Sequence, residues 1–73
     1  MSDLPIISGR EIIKTLGKIG YREVRQRGSH IRLAREEKKS VTVPDYKMVD
    51  KSLLRKILRD AELTPEDFRK LRG

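Results

Sequence analysis

The stretch Tyr21-Arg-Glu-Val-Arg-Gln-Arg-Gly-Ser-His-Ile-Arg-Leu-Ala-Arg-Glu36 decides the fold. Gly28-Ser29 lies between two strand-like runs, 21–27 and 30–36. A Gly-X pair in that place suits a two-residue type II′ hairpin, whose first turn residue needs a positive φ. With 28 and 29 in the turn, Arg27 faces His30, Gln26 faces Ile31, Arg25 faces Arg32 and Val24 faces Leu33. Alternation along the strands then puts Val24, Ile31 and Leu33 on one face, and Arg25, Arg27, His30 and Arg32 on the other. The first face is fit for a core. The second is basic and carries the only histidine of the chain. A slip of one residue would exchange the two faces, so the turn governs the function as well as the fold.

Upstream, Ser8-Gly-Arg-Glu11 reads as a capping box, in which the Ser8 hydroxyl takes the amide of residue 11 and Glu11 reaches back to the Ser8 amide. Ile12, Ile13, Leu16 and Ile19 share one face of a helix over 9–19, and Gly20 suits its left-handed end. Downstream, Glu36-Glu-Lys-Lys39 is a charged turn. Ser40-Val-Thr-Val43 is a third strand with Val41 and Val43 inward, Thr42 outward and Pro44 as its stop. Residues 45–49 form a loop. Asp50 caps a second helix with Leu53, Leu54, Ile57, Leu58 and Ala61 as its apolar stripe. Thr64 caps a last short helix over 64–70, with Pro65 at its first position and Phe68 and Leu71 folded back on the core. Helix, three-stranded meander, helix and short helix predict an α+β fold, with both long helices on one sheet face and the basic face open.

Seventy-three residues, 36% of them hydrophobic and three aromatic, make one domain over 1–73 with a thin core. The absence of cysteine excludes a disulfide framework, a thiolate nucleophile and a Cys-ligated metal. One histidine excludes a His-rich metal site, so no metal and no small-molecule cofactor is expected. No run approaches the roughly 20 apolar residues of a membrane span. The opening Met-Ser-Asp-Leu-Pro has neither a basic nor an apolar leader region, and a cytoplasmic protein with no membrane partner is the expectation. Eighteen Lys and Arg oppose eleven Asp and Glu, a net +7. Residues 10–39 hold ten of the basic residues and only four of the acidic ones. Nucleic acid is the anionic partner such a patch fits best.

Cutting RNA through its own 2′-hydroxyl needs a base for that proton, an acid for the leaving oxygen and cations around the phosphorane-like transition state. His30 supplies one proton-transfer group, and Arg25, Arg27 and Arg32 supply a phosphate clamp. A second proton-transfer group is not evident; Tyr46, Lys47 and Ser29 are candidates as neighbours of the hairpin. A duplex keeps the 2′-hydroxyl out of line with the adjacent phosphate, which makes single-stranded RNA the target. The same residues also suit an RNA-binding module that does not cut, or a basic adaptor whose partner is an acidic protein.

Ser8-Gly9-Arg10, Gly20-Tyr21, Arg27-Gly28-Ser29-His30, Val41-Thr42-Val43-Pro44 and Ser52-Leu-Leu-Arg-Lys-Ile-Leu58 occur in that order. The set resembles the HicA (YcfA-like) toxin family from about residue 5 to residue 71. That resemblance implies a fold like a double-stranded-RNA-binding domain. It implies a toxin of a type II toxin–antitoxin system, a ribosome-independent mRNA interferase held in check by a HicB-type antitoxin. The family's catalytic histidine falls on His30, with Gly28 and Ser29 as its flanking motif residues. Tyr46 and Lys47 join the arginines as expected RNA contacts. Many members carry histidine at the positions of Ile31 and Tyr46; here Ile31 is expected in the core, and Tyr46 can donate a proton or stack on a base.

Overall fold

Residues 4–73 are described by the computed structural model. Their order is α1 (Gly9–Gly17), β1 (Arg22–Arg27), β2 (His30–Ala34), β3 (Val41–Pro44), α2 (Lys51–Asp60) and α3 (Pro65–Arg72). The Ser8 hydroxyl accepts from the Glu11 amide at 3.1 Å and caps α1. The Glu11 carboxylate lies 3.5 Å from Arg72 of α3, so the expected reciprocal bond to Ser8 is replaced by a tie between helices. α1 also ends earlier than residue 19. The amides of Lys18, Ile19 and Gly20 turn onto carbonyls three residues back, and Gly20 adopts a φ of +105°. Tightening of this kind satisfies the free carbonyls of a helix end.

The Asp50 carboxylate accepts from the Leu53 amide at 2.8 Å and starts α2, which buries Leu54, Ile57 and Leu58. Thr64 and Asp67 exchange side-chain-to-backbone bonds at the start of α3, and the bonds from Thr64 hold the Asp67 carboxyl below its ordinary pKa. Phe68 is wholly buried, as expected, while Leu71 is half-buried.

The three strands form an antiparallel sheet in the order β1-β2-β3. Gly28 has a φ of +59° and turns the hairpin as expected. Arg27 pairs with His30, Gln26 with Ile31 and Arg25 with Arg32, the expected register. Beyond Arg25 the register shifts. Glu23 rather than Val24 pairs with Leu33, and Val24 is left 52% exposed in a β-bulge. The placement of Val24 in the core is therefore corrected. A bulge sets two residues against one and commonly bends an edge strand, and every residue of β1 is exposed. The inner face belongs to Ile31, Leu33, Val41 and Val43, all buried. Each such side chain contributes roughly 1.5–3 kcal/mol on burial. β1, by contrast, is held by its ladder to β2 and by Arg10 of α1, whose guanidinium lies 3.0 Å from Glu23 and 3.3 Å from Asp45.

Tyr21 precedes β1 and is buried, its hydroxyl donating to the Lys39 carbonyl at 2.9 Å; burial pushes the phenol pKa up. The loop after β3 is more ordered than a plain connection. Ile7 and Val49 form a β-bridge, which carries Leu4 and Ile7 into the core beside α1. Gly9 packs against the end of β3: a Cβ there would lie 1.8 Å from the Pro44 carbonyl oxygen. Among the described residues no helix is long and apolar enough to cross a membrane.

Candidate nucleic-acid interface

Strand alternation and the register place two rows of side chains on the sheet face away from the core. One row is Arg27, His30 and Pro44; the next is Arg25, Arg32 and Thr42. Arg25, Arg27, His30, Arg32 and Thr42 line a shallow groove of about 180 Å³. A second groove, of about 340 Å³, runs from His30 and Thr42 past Tyr46 to the flank of α2. His30 and Thr42 belong to both grooves and form the ridge between them.

Backbone bonds fix this ridge. The turn at Gly28 presents the Ser29 carbonyl outward, where it accepts from the Asp45 amide at 2.6 Å. The Tyr46 carbonyl accepts from the Gly9 amide at 2.8 Å. Residues 45 and 46 are thus tied to the hairpin on one side and to the start of α1 on the other. Tyr46, 45% exposed, stands beside His30 at the rim of the larger groove.

Arg25 and Arg32 are directly opposed across β1 and β2. Like charges so placed destabilise a sheet. Among the described residues no ion pair involves Arg25, Arg27 or Arg32; the acidic groups pair with Arg10, Lys38, Lys39 and Arg72 instead. Three guanidiniums therefore face solvent with their donors free, around one exposed imidazole. Such a surface can grip phosphate oxygens in pairs and move a proton at the same place. Among the described residues no group of three or more His, Asp or Glu is placed to hold a metal ion.

Five of the eight expected site residues meet at these grooves: Arg25, Arg27, His30, Arg32 and Tyr46. Gly28 and Ser29 lie in the turn beneath and line neither groove, and exposed Lys47 lines neither as well. Thr42, Lys56 and Asp60 were not anticipated. Thr42 is legible as an outward residue of β3 opposite Arg32. Lys56 and Asp60 share a helical face with Leu53 and Ile57, but no sequence rule says that this face rises past β3 to the open side.

A family model described as the HicA toxin of bacterial toxin–antitoxin matches residues 9–63. A solved chain titled as a toxin–antitoxin complex from Streptococcus pneumoniae is similar at 26% identity and a TM-score of 0.71, over 78% of this chain and 98% of that one. A comparison with curated proteins gave no match.

Proposed function

The chain belongs to the HicA toxin family of bacterial toxin–antitoxin systems, and from that premise we propose that it is an endoribonuclease that cuts single-stranded mRNA without a metal ion or a ribosome. The observation that carries the reading is the unpaired, directly opposed Arg25 and Arg32 beside His30. Their repulsion is offset when a phosphate bridges them, so this face is built for an anion that repeats along a chain.

In the proposed reaction the His30 imidazole takes the proton of a ribose 2′-hydroxyl. The 2′-oxygen bonds to the adjacent phosphorus and the bond from phosphorus to the 5′-oxygen breaks. That oxygen leaves as an alcohol, taking a proton from the solvent to which the groove is open. Arg25, Arg27 and Arg32 hold the non-bridging oxygens as charge builds on them. Positioned proton transfer of this kind contributes typically 10²- to 10⁴-fold. A single strand alone can bring the 2′-oxygen, phosphorus and 5′-oxygen into line. Gly28 and Ser29 act through the backbone, by turning the hairpin and anchoring Asp45. Lys47, outside the grooves, meets phosphates further along the strand.

The partner that restrains the chain is a HicB-type antitoxin, in keeping with the toxin–antitoxin complex among its solved relatives. An acidic surface on it would cover the arginine groove and shut RNA out. The place of action is the cytoplasm, where mRNA is.

End-labelled single-stranded RNA incubated with the protein in excess EDTA tests the activity. The expected products end in a 2′,3′-cyclic phosphate and a 5′-hydroxyl. RNA that binds but stays whole, or cleavage that EDTA abolishes, would contradict the reading. The first of these results favours an RNA-binding module that does not cut.

A further inference from the structure

The two grooves on either side of His30 differ in kind. The arginine groove offers three guanidiniums, the His30 imidazole and the Thr42 hydroxyl, which suits phosphate. The larger one is walled by Leu53, Ile57 and Pro44, rimmed by Tyr46, and carries Lys56 and Asp60 one helical turn apart on α2. A phosphate gains nothing from an apolar wall and is repelled by a carboxylate. A nucleobase uses every part of such a site: a flat face for an aromatic ring, apolar contact, and edge atoms for a donor and an acceptor. The volume of about 340 Å³ lies at the small end of ligand clefts, which span roughly 300–1,000 Å³. One unpaired heterocycle enters it; a base-paired stem does not.

We propose that this groove is a guanine subsite, which takes the base next to the phosphate at His30, with Tyr46 stacked on its ring and Asp60 and Lys56 reading its edge. The proposal rests on the reading of the chain as an RNA-binding protein and adds which base it selects. Guanine alone presents two adjacent N–H groups on different nitrogens to a single carboxylate, with a carbonyl acceptor beside them for an ammonium. Adenine, cytosine and uracil each present one donor nitrogen. Asp60 is free enough for this role: its partner in the fold, Lys39, is 3.7 Å away in a solvent-exposed pair, and such pairs are weak.

Fluorescence anisotropy with labelled 2′-O-methyl hexanucleotides tests the site without cleavage, because the blocked 2′-oxygen cannot attack. Four probes are needed: all-uridine, and uridine with one central guanosine, adenosine or cytidine. The guanosine probe is expected to bind about tenfold more tightly than the others. Asp60→Asn is expected to level the four, and Lys56→Met to narrow the preference. Tyr46→Ala is expected to weaken all four by about tenfold through lost stacking. Equal affinity of the wild type for the four probes, or no binding at low salt, would overturn the subsite. So would a guanosine preference that survives in both Asp60→Asn and Lys56→Met. The nuclease reading stands or falls on the EDTA assay alone, so the two failures are distinguishable.

Discussion

Gly9 occupies a position that no other residue can share. Its amide binds the Tyr46 carbonyl, and a side chain would collide with the Pro44 carbonyl oxygen. Both partners are backbone and belong to the corner that carries Tyr46, so relief requires moving the corner itself. Gly9→Ala is expected to cost about 3 kcal/mol through overpacking. In a domain of this size that lowers the thermal midpoint by more than about 10 °C. Gly17→Ala is the control: a Cβ there meets nothing within 4 Å, and at the last residue of α1 the change from glycine is expected to leave stability unchanged or raise it by less than about 1 kcal/mol. Equal midpoints for Gly9→Ala and the wild type, by circular dichroism, would contradict the close approach. At the same scale, Ser29 shows how a motif residue serves through its main chain, since its carbonyl anchors Asp45 while His30, its neighbour, faces the grooves.

At the scale of elements the sheet is asymmetric. β2 and β3 bury one face, whereas β1 is exposed throughout and bulged at Val24. Val24→Thr is therefore expected to change stability by no more than about 0.5 kcal/mol. Leu33→Ala, from the wholly buried face, is expected to cost about 2–5 kcal/mol. Urea denaturation of both variants checks the pair, and a comparable loss in each would restore Val24 to the core. The hairpin turn, the pairing from Arg25 to Arg32 and the caps at Ser8, Asp50 and Thr64 were legible in the sequence, because each depends on residues a few positions apart. The bulge was not, because it arises on an edge strand that buries none of its side chains, and the sequence of β1 carries no glycine to mark it. Leu4 and Ile7 were missed for a related reason. They enter the core through a bridge to Val49, more than forty residues away, and no periodic pattern announces that contact. The larger groove depends likewise on how far α2 rises beside β3.

For the whole molecule, the fold separates its tasks between two sides of one sheet. Apolar residues from all three helices and from β2 and β3 close one side. The other gathers three unpaired arginines and the single histidine on a chain of net charge +7. His30 sits where the arginine groove and the larger groove meet, so in the proposed function one side chain joins RNA binding to RNA cleavage. It is exposed and takes no part in the core, which lets its chemistry be removed while the fold stays intact. The decisive measurement is His30→Ala beside the wild type on one end-labelled single-stranded RNA in EDTA, with cleavage rate and binding affinity read from the same samples. The account predicts that cleavage falls by at least about 10²-fold while affinity changes only a few-fold. Cleavage that persists in the variant at the wild-type rate would contradict it.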